Sequence, residues 1–263
     1  MPRQVIVNAD DFGLSANENA VIFAAFQAGI ISSATAMANM PAFEAACAMA
    51  RHPALAGRIG LHFNLTYGRP LSQRIVTRQT FCDSHGVFDL SLARHSLRLS
   101  REDRDAVHDE LQAQWQRCVD HGMRPSHIDS HQHVHNIWPI GEIVARFAAH
   151  QGVPIRLARN LGQNLNLAKR VFKGLLNWRL HSLAGITADY VCTPVDLRSN
   201  SVPIDGVLEV VAHPTQLGAD FGDAYLAPQE SLRLVLEHRL TGIARVSYAD
   251  LNKEFARGTA ALD

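Results

Sequence analysis

The sequence predicts an α/β fold of the (β/α) TIM-like barrel type, complete or distorted, with a long insertion after the third strand. Three observations carry this expectation. Short apolar runs that read as strands alternate with helical stretches from one end of the chain to the other. The chain has 263 residues, a length that suits one such barrel. Reactive side chains recur just after the apolar runs, where the active sites of barrels form. A doubly wound open sheet gives a similar string. No repeat, low-complexity tract or linker divides the chain, so residues 1–263 read as a single domain.

Taken in order, Gln4–Asn8 (QVIVN) is a β-branched apolar run and reads as a buried first strand. Asn17–Gln27 carries apolar residues at helical spacing. Ser33–Ala38 is a weaker strand, and Pro41–Arg51 a helix with proline in its first turn. Arg58–Leu65 (RIGLHFNL) is the third strand. From Thr66 to Leu99 the pattern is irregular, with Gly68, Pro70 and Gly86; this is the insertion, read as a substrate loop or lid, or as a surface excursion. A long helix covers Glu102–Val119. His127–Ser130 is the fourth strand, Ile140–Gln151 a helix, Pro154–Ala158 the fifth strand and Asn164–Leu183 a helix. Tyr190–Thr193 and Val207–Ala212 are the sixth and seventh strands. Pro228–Arg239 is a helix with an acidic first turn. Ala244–Tyr248 is the eighth strand and Ala249–Arg257 the last helix.

Bulk composition narrows the function. Lys plus Arg and Asp plus Glu both number 25, so the net charge is zero and no global basic footprint of a nucleic-acid binder exists. The N-terminus shows no apolar signal region, and no apolar run is long enough for a transmembrane helix. Cys47, Cys82, Cys118 and Cys192 form no C-x-x-C pair and read as free thiols of a cytoplasmic protein. Oligomeric state is not fixed by the sequence; a homodimer is one option.

The chemistry gathers at predicted strand ends. Asp10 and Asp11 follow the first strand, Asn39 the second, and His62 lies near the end of the third. Asp129, His131, His133 and His135 lie at and beyond the fourth, Arg156 sits in the fifth, and His213 closes the seventh. Elements far apart in sequence therefore converge on one mouth. Adjacent buried carboxylates such as Asp10 and Asp11 need partners: one can hold a metal while its neighbour takes protons, or one can cap a turn. In extended chain, His127, Asp129, His131, His133 and His135 project to one side; if the segment turns helical, His131 and His135 become neighbours. Either geometry offers imidazoles to a metal. His62 and His213, each among apolar residues, could equally be core histidines.

The motifs Asn8-Ala-Asp-Asp-Phe-Gly-Leu14, Gly60-Leu-His-Phe-Asn-Leu-Thr66, His127-Ile-Asp-Ser-His-Gln-His-Val-His135 and Val211-Ala-His-Pro214 resemble those of the YdjC-like carbohydrate deacetylases, which include chitooligosaccharide and hopanoid-associated deacetylases. The four occur in family order and span nearly the whole chain. Around His131 the pattern resembles the chitooligosaccharide branch more, with Gln132 where that branch has another histidine. The resemblance implies a metal-dependent hydrolase that removes an N-acetyl group from an amino sugar or an N-acetylglucosamine-containing oligosaccharide or glycoconjugate. It implies one divalent ion, Mg2+ or Zn2+, held by Asp11, His62 and His131, with Asp10 as general base and His213 as acid. Arg156 is read as orienting Asp10, or as a plain barrel salt bridge. The competing readings are another metal-dependent barrel enzyme, an isomerase or phosphoesterase, and a non-catalytic sugar- or metal-binding barrel.

Overall fold

The computed structural model describes residues 1–162, 166–198 and 205–260, the side chains of 257–260 excepted. Its centre is a curled, wholly parallel sheet of β1 (Gln4–Phe12), β2 (Ser33–Ala36), β3 (Ile59–Phe63), β4 (Ile128–Ser130), β5 (Tyr190–Cys192) and β6 (Val207–Ala212), ordered β4-β3-β2-β1-β6-β5. β9 (Ala244–Arg245) adds to β1 at Gln4 and Val5. Between them run α1 (Ala16–Gln27), α2 (Phe43–Ala50), a single turn α3 (Gln73–Val76), α4 (Arg101–Asp120), α5 (Trp138–Gln151), α6 (Leu167–Ala184), α7 (Leu232–Leu240) and α8 (Tyr248–Ala260). β7 (Pro214–Leu217) and β8 (Asp220–Asp223) form a separate antiparallel hairpin.

Residues 5–10 of β1 are all buried, the pattern of a parallel strand covered on both faces. Val5, Val7 and Ala9 join the main apolar core, whereas Ile6 packs inside with Val207 and Tyr248. Asn8 and Asp10 lie on the same side as Ile6. The interior thus passes from apolar at its base to polar at its mouth along one strand. Ser15 begins α1 by accepting from the Asn17 and Glu18 amides, and its hydroxyl donates to the Glu18 carboxylate.

Several expected elements changed. The expected fifth strand is only an isolated bridge: Ile155 pairs in parallel with Ile128 and with Thr187. Next to it, the Asn177 side chain takes both backbone groups of Ala158, its Oδ1 accepting from the amide at 2.8 Å and its Nδ2 donating to the carbonyl at 2.9 Å, so no ladder is needed there. The expected eighth strand shrinks to Ala244–Arg245, because Tyr248 already opens α8. The β7–β8 hairpin was not anticipated; Pro214, directly after His213, begins an edge strand. α6 starts at Leu167, capped by Asn166 on the Lys169 amide, and the expected helical residues 164 and 165 lie outside the described ones.

The insertion at 66–99 contains α3 and little other regular structure, yet it is well anchored. Glu110, buried on α4, accepts from the Leu71 and Ser72 amides, and Arg78 pairs with Asp103 at 2.7 Å. Arg94 donates to the Gln132 carbonyl at 2.6 Å, tying the insertion to the segment that carries His131. No helix among the described residues is long and apolar enough to cross a membrane, and all four cysteines are buried and free.

Candidate active site

The mouth of the curled sheet is organised by a bulge. Between Ala9 and Phe12 the pairing of β1 with β2 shifts register, and Asp11 takes a left-handed backbone conformation at φ 68°. Adjacent residues of a regular strand point to opposite faces. The bulge cancels that alternation, so the carboxylates of Asp10 and Asp11 both reach the mouth, where His213 Nε2 lies 3.9 Å from one and 3.8 Å from the other.

Asp11 Oδ1 lies 3.0 Å from His131 Nδ1 and 3.3 Å from His62 Nε2. One donor atom from each of the three residues falls within 4.8 Å of the other two, from three elements: the β1 bulge, β3 and the turn after β4. His62 and Asp129 are paired across β3 and β4, and His62 Nδ1 meets Asp129 Oδ1 at 2.7 Å. That contact directs Nε2 at Asp11 and His131, the carboxylate–imidazole arrangement found behind metal-bound histidines. One carboxylate oxygen and two imidazole nitrogens suit a divalent ion and leave positions for water and substrate.

Below this trio lies a second layer. Arg156, 1% exposed, grips Asp10 with two nitrogens at 2.8 and 2.7 Å. It also reaches Asp129 Oδ2 and Glu209 Oε1, both at 2.7 Å. Tyr248 donates to the other oxygen of Glu209. Asn8 donates to Asp10, and its carbonyl oxygen meets His127 Nε2 at 3.0 Å. The inner trio Asp10, His62 and Asp129 is also close enough to bracket an ion. The Arg156 guanidinium already supplies the cation there, which argues for one metal rather than two.

Charge follows from this packing. Burial raises the Asp10 pKa, but Arg156, with His62 and His213, outweighs it and holds the carboxyl below the usual range. Asp11, also resisted by burial, is held low by its bonds to His131 and His62. Burial opposes charge on His62, yet Asp129 and Asp10 push it up to about 10. Glu209 goes the other way: burial lifts it to about 7 against the pull of Arg156.

The histidine-rich segment departs from both expected geometries. β4 ends at Ser130, and a 3-10 turn covers His131–Asn136 with Gln132 and His133 left-handed at φ 48° and 55°. Only His127, Asp129 and His131 keep the one-sided alternation. His127 sits deep, its ring stacked on Tyr248 at 4.0 Å; a Cβ at Gly60 would lie 2.6 Å from it, so glycine is required opposite. His135 Nδ1 bonds Ser130 at 2.5 Å beneath the turn, away from the mouth. His133 is driven down to about 3 by burial and by Arg156. Asn39 is no ligand: it holds the carbonyls of Tyr67 and Arg69 at 3.0 Å each. The sequence reading counted Asp129 among the strand-end residues but gave it no role, and left out Asn8, Glu209 and Thr35, whose hydroxyl donates to Asp129 at 3.0 Å. Asp129 and Glu209 carried a signal, being charged residues within strand runs; the other two carried none.

The family model of the YdjC-like proteins matches residues 4–233, and the chain belongs to that family. It is 41% identical over 170 residues to a chitooligosaccharide deacetylase of Serratia marcescens, an alignment spanning 64% of each chain. It is 39% identical over 206 residues to a carbohydrate deacetylase of Geobacillus stearothermophilus, spanning 74% of this chain and 80% of that one. In structure it resembles an Enterococcus faecalis protein described as a candidate for cellobiose-phosphate cleavage. The TM-score is 0.68 at 23% identity, over 95% of this chain and 99% of the other, a likeness of fold alone.

Proposed function

We propose that this protein is a metal-dependent carbohydrate deacetylase, which hydrolyses the acetamide of an amino sugar or of an N-acetylglucosamine-containing oligosaccharide. The observation that carries the reading is the convergence of Asp11, His62 and His131 with Asp10 and His213 beside them. The deacetylase names of the Serratia and Geobacillus relatives point the same way. The curled parallel sheet is read as a distorted (β/α) barrel, and the four free, buried thiols fit a cytoplasmic protein.

Asp11, His62 and His131 would hold the ion, Mg2+ or Zn2+. When bound, such an ion polarises a carbonyl and lowers the pKa of water, which a base as weak as Asp10 requires of its proton donor. Arg156 keeps Asp10 ionised and fixes its rotamer, so the carboxylate is always an acceptor. Asp10 takes one proton from the attacking water as its oxygen bonds the carbonyl carbon. His213 gives one proton to the nitrogen as the C–N bond breaks, leaving acetate and a free amine. Tyr225 packs edge-on against the His213 ring at 4.8 Å, and the His213 amide donates to Asp223 at 2.6 Å; together they fix the imidazole.

The test is hydrolysis of N-acetylglucosamine oligomers by the purified protein, before and after chelation and with Mg2+ or Zn2+ restored. Release of acetate that depends on the metal supports the reading. Metal binding without acetate release would favour a non-catalytic barrel.

A further inference from the structure

The two oxygens of Asp11 face different ways. Oδ1 meets His131 and His62, while Oδ2 faces His213 at 3.8 Å. On the His131 side, a cleft of about 640 Å3 runs outward to Tyr67. Leu14, Met40, Pro41 and Tyr67 line it, together with His131 and Gln132. Its other two lining residues, Ser15 and Glu18, bond each other in the α1 cap, and no lysine or arginine lines it.

One wall is unusually fixed. Tyr67 is 54% exposed, yet its amide donates to Asn64 Oδ1 at 3.1 Å and its carbonyl accepts from Asn64 at 2.7 Å and from Asn39 at 3.0 Å. Asn64 is fully buried, its amide and carbonyl bonded to Gln114. The aromatic ring is therefore presented to the cleft from a rigid backbone.

In an amide the nitrogen and the acyl substituent lie on opposite sides of the carbonyl carbon. If His213 faces the nitrogen, the acyl substituent points away from it, towards His131 and the cleft. An acetyl methyl occupies little of that space, being of the order of one water's share of roughly 30 Å3. We propose that this cleft receives the acyl side of the scissile amide, and that the enzyme hydrolyses N-acyl amino sugars whose acyl chain is longer than acetyl. The inference rests on the amide-hydrolysis reading above. The reaction is unchanged in balance: one water enters, the C–N bond breaks, and a longer carboxylate leaves with the free amine.

The experiment compares N-acetyl-, N-propionyl-, N-butyryl- and N-hexanoylglucosamine, with di-N-acetylchitobiose alongside, using metal-loaded wild type, Leu14→Trp and Tyr67→Ala. The expected result is a kcat/KM from acetyl to butyryl that holds level or rises. Leu14→Trp should lower the butyryl-to-acetyl ratio by about tenfold or more, the scale of one to two methylenes in an apolar pocket. Pro41→Trp, at an exposed position, replaces Leu14→Trp should that variant not fold. Turnover of acetyl alone overturns the proposal and leaves the deacetylase reading standing. A KM increase in Tyr67→Ala on the disaccharide but not on the monosaccharides also overturns it, assigning the cleft to a second sugar ring. Turnover of no substrate in the series overturns the deacetylase reading itself.

Discussion

Replacing Arg156 with methionine tests the charge layer beneath the site. The side chain keeps its apolar stem, so the perturbation is chiefly loss of the guanidinium. In the native protein that group meets Asp10 through two bonds and Asp129 and Glu209 through one each, at 2.7–2.8 Å, and all four residues are buried. Removing one partner of a buried ion pair costs about 3–5 kcal/mol because a bare charge remains; three carboxylates share this loss. At roughly 2–4 °C per kcal/mol for a chain of this size, the melting temperature should fall by on the order of 10 °C. The pH dependence identifies the cause. In wild type, Asp10 has a depressed pKa, so its stabilising contribution is present above the unfolded value of 3.8 and lost as pH falls below it. In Arg156→Met, burial is opposed only by His62 and His213, and the Asp10 pKa rises. Its penalty is then largest at neutral pH and shrinks as protons return. Urea unfolding of both proteins between pH 8 and pH 4 should show the difference narrowing towards acid. A difference that does not change with pH would mean lost packing, not unpaired carboxylates, and refute the reasoning.

Three further outcomes separate the roles at the mouth. Asp11→Asn should weaken metal binding measured by calorimetry, whereas Asp10→Asn should bind metal nearly as wild type and lose roughly 10²-fold or more in kcat; equal loss of metal in both would remove the division of labour. In His213→Ala the alkaline limb of the kcat/KM profile should disappear, and the loss on an activated ester should be smaller than on the acetamide, because that leaving group needs no proton. An unchanged limb would make His213 a binding residue. Asp129→Asn frees the tautomer of His62 and should cost about 10–100-fold in metal affinity, with kcat recovering at saturating metal; unaltered affinity would show that the Asp129 contact is only structural.

What the sequence could disclose was set by range. That Asp11, His62 and His131 would share one region was legible because each lies at or just beyond the end of a strand run, and parallel strands deliver their C-terminal ends to one side; their choice as a set came from the family resemblance. That Asp10 and Asp11 face the same space was not legible, since it depends on one left-handed residue at position 11. The alternation expected from His127 to His135 assumed continuous strand, and β4 stops after three residues. The expected fifth strand failed because Asn177 on α6, nineteen residues from Ala158, satisfies its backbone. The Arg156 cluster draws its carboxyl groups from three separate strands, and Tyr248 reaches Glu209 from 39 residues away. No local pattern encodes such pairings.

The charge of the same cluster favours the divalent cation proposed for this mouth. Asp10, Asp11, Asp129 and Glu209 bring four carboxyl groups together, and Arg156 is the one guanidinium among them. Glu209, pushed up to about 7 by burial, can remain protonated near neutrality and removes one negative charge. His62, pushed up to about 10 by Asp129 and Asp10 despite its burial, can carry one positive charge, yet the sum over these six groups is still negative. Asp11, His62 and His131 would hold a divalent ion with His62 neutral; loss of that proton and the gain of two charges would bring these six groups to neutrality with Glu209 protonated. Arg156 and the ion thus divide the work. The guanidinium neutralises the inner carboxylates and holds Asp10 in place, and the proposed ion would neutralise the outer one.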